Sequence, residues 1–155
     1  SAASDVYKRQ SGKSGDDYLA ELKESVKEFN LESHVELLGN LPQTKIKDFM
    51  NKSKLLIHTS QYETFGLVAI EANSMGVPIL SINTGSLIEI IENNKNGYFA
   101  EDFMDNHANN FVRDLLNDDD YFNNVMSQCI QKSEKYNWEA TADSLLKTYQ
   151  DVKLS

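Results

Sequence analysis

The chain has 155 residues, 40% of them apolar and 25% charged, with a single cysteine and a formal charge of −9. A chain of this size and make-up can bury a core without disulfides or structural metal, and Cys129, alone and without a C-x-x-C or Cys/His cluster, excludes an intramolecular disulfide and a zinc site. The longest uncharged apolar runs, such as Leu55-Leu56-Ile57 and Val77-Pro78-Ile79-Leu80, fall far below the ~20 residues of a membrane span, and the acidic balance argues against a partner with a phosphate backbone, so nucleic acid is not expected; a reducing cytoplasm suits the cysteine usage.

Ser1 to Gln10, SAASDVYKRQ, resembles the in-frame translation of a transposase adapter used in sequencing libraries and is read as a non-native segment outside the fold. Residues 11–155 form the domain. Behind the turn-like Ser11-Gly12-Lys13-Ser14-Gly15, the helical recurrence of Tyr18, Leu19, Leu22, Val26 and Phe29 predicts a helix from about Asp16 to Phe29. His34-Val35-Glu36-Leu37-Leu38 reads as a buried strand ending at Gly39, Ile46, Phe49 and Met50 mark a short helix, and Leu55 to His58 is the next strand. A polar turn from Thr59 to Thr64 leads into a helix from about Phe65 to Ser74 that stops at Met75-Gly76, where glycine suits a left-handed cap. Val77 to Ile82 is a strand, and Ser86 with Glu89 three residues on predicts a capping box for a helix carrying Leu87, Ile88, Ile90 and Ile91. After a turn at 93–97, Tyr98-Phe99-Ala100 is a short strand. Helices at Asn106 to Leu116, Asp119 to Ser133 and Trp138 to Val152 follow, with Phe111, Val112, Leu115, Val125, Met126, Ile130, Leu145, Leu146 and Tyr149 expected to face inward. Strands alternating with helices imply an α/β, Rossmann-like parallel sheet with helices on both faces and a helical C-terminal third.

The chemistry concentrates between Ser60 and Glu89. Glu63 and Glu71 stand eight residues apart, the first in a loop after a strand and the second inside a helix. A helix starting at Phe65-Gly66 points unpaired N–H groups and its positive dipole end beyond the strand edge, where an anion such as a diphosphate fits. Gly66 permits close approach to the backbone, and the paired acceptors of the Glu71 carboxylate suit the cis hydroxyls of a ribose. Together these features describe a site for a nucleotide diphosphate. His34, His58 and His107 lack a Ser, Cys or carboxylate partner at telling spacing and are read as structural. Cys129 is read as core and Trp138 as a packing residue at the start of the last helix.

The run Ser60-Gln61-Tyr62-Glu63-Thr64-Phe65-Gly66-Leu67, followed by Glu71-Ala72, Gly76-Val77-Pro78, Gly85, Glu89 and Gly97, resembles the C-terminal half of family 4 glycosyltransferases of the GT-B fold. The resemblance implies a partial nucleotide-sugar-binding domain, a retaining transfer of a sugar to a glycan or lipid acceptor, and no divalent metal or other cofactor. It implies that Glu63 contacts the transferring sugar, that Phe65, Gly66, Leu67 and Val68 offer backbone N–H groups to diphosphate and sugar, that Glu71 holds the ribose, that Gly85 shapes the donor loop, and that the base lies near Asn40 and Leu41. It further implies a missing N-terminal acceptor-binding domain through which the whole enzyme touches a membrane, a role in bacterial polysaccharide assembly, and a fragment that is inactive alone. The Arg and Lys that such enzymes place on the loop after the domain's first strand have no counterpart here, and Thr84 stands where a second glycine is common. A nucleotide-sugar epimerase of the same fold and a non-catalytic nucleotide-sugar-binding module remain the alternatives.

Overall fold

Three short apolar runs, Leu56–His58 (β1), Ile79–Ile82 (β2) and Gly97–Ala100 (β3), pair side by side in the order β1-β2-β3, both pairs parallel. The computed structural model describes residues 15–60, 63–82, 85–102 and 105–153. The adapter-like segment, the turn at 11–14 and the pairs Gln61-Tyr62 and Asn83-Thr84 lie outside the described residues. The helices are Gly15–Glu28 (α1), Gln43–Met50 (α2), Leu67–Ser74 (α3), Leu87–Ile90 (α4), Asn106–Asn117 (α5), Asp119–Ser133 (α6) and Trp138–Lys153 (α7). Among the described residues no helix is long and apolar enough to cross a membrane.

Successive strand residues point to opposite faces, and both faces find cover. Ile79 and Leu56 pack with Met50, Ala69, Ala72, Leu87 and Ile90 from α2, α3 and α4. Leu80 and Ile57, one residue along, pack instead with Ala108 and Val112 of α5. Phe111 and Leu115 of α5 close on Val125 and Cys129 of α6, with Tyr98 stacking obliquely on Phe111. Asp105 and Asp118 accept N–H groups of the first turns of α5 and α6, satisfying donors that a helix start leaves unpaired. Burial pushes the Cys129 thiol up to about 12, as expected of an inert core sulfur.

Several expectations give way. Residues 34–38 form no strand: among the described residues no neighbour pairs with them, and Val35, Leu37 and Leu38 are only half-buried while His34 and Glu36 are exposed. An alternating pattern proposes a strand, but a ladder needs a second chain segment beside it. The Ser86–Glu89 capping box does not form either. Ser86 adopts helical angles, its side chain caps nothing and its Oγ is buried without a partner, while its carbonyl accepts the Glu89 N–H. On α7, Leu145, Leu146 and Tyr149 are 53%, 59% and 70% exposed, and Trp138, expected to pack, is 88% exposed. Helical periodicity identifies the apolar side of a helix without saying that anything covers it. Ile130 likewise remains 41% exposed, and Tyr18 and Phe29 are 38% and 67% exposed.

A polar pair inside the core ties α3 to the segment before β3. Asn73 and Asn96 are each 1% exposed. Asn73 donates to the carbonyls of Val77 and Asn96, and Asn96 donates to Asn73 Oδ1 and to the Ile90 carbonyl while accepting the Glu92 N–H. Every polar atom of both amides is thus engaged. Asn96→Ala would leave the Ile90 carbonyl, the Glu92 N–H and Asn73 Oδ1 without that partner, each at roughly 1–3 kcal/mol when buried. Urea denaturation should show a loss of about 3 kcal/mol; a loss below about 1 kcal/mol would mean that water or a shifted backbone replaces the amide.

Just beyond that pair, Glu92 takes Lys132 from α6 and Lys95 from its own turn. The Lys132 hydrogen bond, then that of Lys95, holds its carboxyl at about 2 instead of the usual 4.5. A depressed carboxyl contributes stability above its unfolded value and loses it as the pH falls. The stability difference between the parent and Glu92→Gln should therefore be largest near neutral pH and shrink as the pH falls from 4.5 toward 2. Thermal melts across that range check it, and a difference that does not vary with pH rules the ion pair out as its source.

Candidate functional site

The loop after β1 must turn into α3 within a few residues, and Gly66 makes the turn. Its φ is 68°, a left-handed angle that costs other residues energy. A Cβ there would sit 2.7 Å from Leu87 and 2.8 Å from Ile90. Glycine is thus required by backbone angle and by packing on α4; the direction its side chain would take leads into the core.

Glu63 caps the turn that Gly66 makes. Its Oε1 accepts the N–H groups of Thr64 (3.1 Å), Phe65 (3.3 Å) and Gly66 (3.0 Å). The Gly66 bond, helped by those of Phe65 and Thr64 and by nearby His58, lowers the Glu63 carboxyl below the usual range, against the opposing effect of burial. Of the four residues expected to offer N–H groups outward, Phe65 and Gly66 already give theirs to Glu63. Leu67 and Val68 begin α3, where an N–H has no acceptor within its own helix. The Phe65 and Leu67 side chains are 74% and 62% exposed.

Gly85, at φ 51°, lies directly against the Glu63 backbone, and a Cβ there would overlap the Glu63 carbonyl. Ser86 donates its N–H to that same carbonyl, 3.5 Å away. Gly85 therefore lets the loop after β2 lie against Glu63.

A cavity of about 300 Å³ opens beside this loop. Glu63, Glu71 and Val68 line it together with His58 at the end of β1 and an apolar wall from Leu38, Leu41, Ile46 and Phe49. Glu71, one turn beyond Leu67, is exposed on α3. The structure thus brings Glu63, Val68, Glu71 and Leu41 to one cavity; Asn40 is exposed beside it and does not line it. No Lys or Arg lines the cavity among the described residues. No cluster of three or more His, Cys, Asp or Glu stands close enough to hold a metal ion among them.

His58, for which spacing showed no Ser, Cys or carboxylate partner, has one of each of the first and last kind in the fold. Its Nε2 lies 3.4 Å from Glu63 Oε2, and its Nδ1 lies 3.4 Å from Ser81 Oγ on β2. The register explains the second contact, because His58 and Ser81 are direct partners across the parallel ladder. The sequence carries a signal for it: each of two apolar strands has a polar residue near its C-terminal end, one of them five residues before Glu63.

Residues 12–151 match the family described as glycosyl transferases group 1. An uncharacterized glycosyltransferase of Methanocaldococcus jannaschii is 29% identical over 120 residues, covering 77% of this chain and 34% of that protein. A D-inositol 3-phosphate glycosyltransferase of Rhodococcus jostii is 28% identical over 139 residues, 90% of this chain and 30% of that protein. The solved structure of HepE from Anabaena in complex with UDP superposes with a TM-score of 0.77 at 24% identity, over 88% of this chain and 37% of that one. The chain spans about a third of the length of these relatives, and its fold is that of a GT-B glycosyltransferase C-terminal domain. The chain belongs to the group 1 glycosyltransferase family.

Proposed function

We propose that this chain is the donor-binding part of a family 4 enzyme that transfers a sugar, with retention, from a nucleotide diphosphate sugar to a glycan or lipid acceptor. The observation that carries the reading is that Glu63 and Glu71 line one cavity beside the start of α3. Glu71 accepts the ribose hydroxyls, the N–H groups of Leu67 and Val68 face the diphosphate, Glu63 contacts the sugar, and Leu41, with Asn40 at the rim, borders the base. That HepE was solved with UDP, and that the Rhodococcus relative is named a glycosyltransferase, support a nucleotide-sugar donor. Helix-start N–H groups supply positive charge to a leaving diphosphate without a divalent metal. The acceptor is bound by a domain that precedes residues 11–155 in the whole enzyme, which works at the cytoplasmic membrane face in bacterial polysaccharide assembly; this piece alone is inactive.

Calorimetry tests the donor site. With no Lys or Arg lining the cavity among the described residues, UDP or GDP should bind more weakly than micromolar, short of about 8 kcal/mol, and equally in magnesium and in EDTA. Glu71→Gln exchanges a charged acceptor pair for one neutral acceptor and a donor, so it should remove roughly 1.5–3 kcal/mol of that binding. It should leave a 2′,3′-dideoxy nucleotide unaffected. Equal weakening of both nucleotides would sink the ribose assignment. In the same titrations Glu63→Gln should cancel whatever a nucleotide sugar gains over its nucleotide.

The adapter-like segment is proposed to take no part in folding. A chain beginning at Ser11 should melt, by circular dichroism, at the temperature of the full chain, and a drop of several degrees would show that residues 1–10 pack.

A further inference from the structure

We propose that the Glu63 carboxylate competes with the donor's diphosphate for the N–H groups that precede α3, and that the diphosphate displaces it from those of Phe65 and Gly66 toward the sugar. The exchange presupposes that the cavity takes a nucleotide diphosphate. Among the described residues no Lys or Arg lines that cavity, so the N–H groups around the start of α3 are the donors that an anion there depends on. Their supply is short. Ala69 and Ile70 already donate to the Gly66 carbonyl, which leaves Leu67 and Val68 as the helix's own unpaired donors. The next three N–H groups back along the chain, those of Gly66, Phe65 and Thr64, all go to Glu63 Oε1, at 3.0, 3.3 and 3.1 Å.

A carboxylate and a phosphate use such groups in the same way, as anions that accept charge-assisted hydrogen bonds. A carboxylate in that place therefore opposes a second anion twice, by holding the donors and by like charge. The Gly66 N–H above all lowers the Glu63 carboxyl below its usual range against the effect of burial, and a setting that favours one negative group favours another in its place.

Glu63 is built to be displaced. Its side chain is 21% exposed on the cavity wall, and its other oxygen lies 3.4 Å from His58 Nε2, long for a hydrogen bond. Rotation about its side-chain torsions moves the carboxylate while the backbone stays where the left-handed Gly66 and the close-packed Gly85 fix it. A sugar carried on the diphosphate brings hydroxyl donors to the displaced carboxylate in place of the lost N–H groups. A nucleotide sugar thus offsets a cost that a bare nucleotide does not, and diphosphate binding and the sugar contact become one event.

Calorimetry on the whole chain, with UDP and with inorganic pyrophosphate, tests the exchange. Glu63→Gln, a neutral and weaker acceptor, should bind UDP about tenfold more tightly than the parent, and Glu63→Ala, which has no acceptor, more tightly still. Equal gains in the two variants would mean like-charge repulsion without exchange, and no gain or a loss would mean that Glu63 only supports the loop; either result overturns the proposal. Should Glu63→Ala melt far below the parent, a crystal structure of the parent with UDP decides the matter. Oxygens of UDP on the Phe65 and Gly66 N–H groups support the exchange, and Oε1 still on them overturns it. UDP binding without these gains ends the exchange and leaves the donor site standing. Pyrophosphate that shows the gains while UDP and GDP bind no chain leaves the competition for anions standing and removes the nucleotide reading, and binding of none of the three by any chain removes both.

Discussion

The first turn of an α-helix has N–H groups and no carbonyls to receive them, and when such a turn abuts a core the protein must supply acceptors from elsewhere. Here a single carboxylate oxygen serves three N–H groups in the approach to α3. The left-handed Gly66 bends those groups onto Glu63, the packing of Leu87 and Ile90 holds Gly66, and the carbonyl of Glu63 in turn receives the loop after β2. Around that oxygen stand Glu71, the cavity and the contact of His58 with Glu63.

Parallel pairing explains why the parts converge. Strands that run the same way end at the same edge of the sheet, so the loops after β1 and β2 emerge side by side, as they do in doubly wound folds that bind ligands at that edge. The register sets His58 beside Ser81, and Gly85 lets the second loop lie against the first. At the opposite end of α3, Asn73 and Asn96 fasten the helix to the segment entering β3, and α6 joins through Cys129, whose thiol contacts the Asn96 carbonyl. Helix α3 is thus fixed at both ends by polar contacts and along its length by Ala69 and Ala72.

The elements with strong local signals were legible in the sequence. Gly76 ends α3 with a left-handed angle, α6 spans the residues its periodicity marks, and Glu63 and Glu71 both line one cavity. What was not legible depended on partners distant in sequence. Val35 and Leu37 alternate as a strand does, yet pairing depends on what lies beside them. Ser86 and Glu89 have the capping-box spacing, but the Ser86 N–H is drawn to Glu63 and Ser86, flanking α4, takes helical angles in which its side chain caps nothing. His58 looked isolated because its partners come from a register and a loop closure that spacing alone does not reveal.

Helix α7 has a consequence of its own. Every described side chain from 138 to 151 is exposed, and Tyr136, just before the helix, donates its hydroxyl to the Glu89 carbonyl as a link back to the body of the molecule. A helix of 16 residues without tertiary burial depends on its intrinsic propensity, which in water is marginal at that length. Its melting is therefore separate from the cooperative unit formed by the sheet and the helices packed on it. Far-UV ellipticity counts those residues in full, whereas the heat absorbed on unfolding comes mainly from the buried layers, so the two transitions weigh different parts of the chain and a single two-state free energy does not describe it.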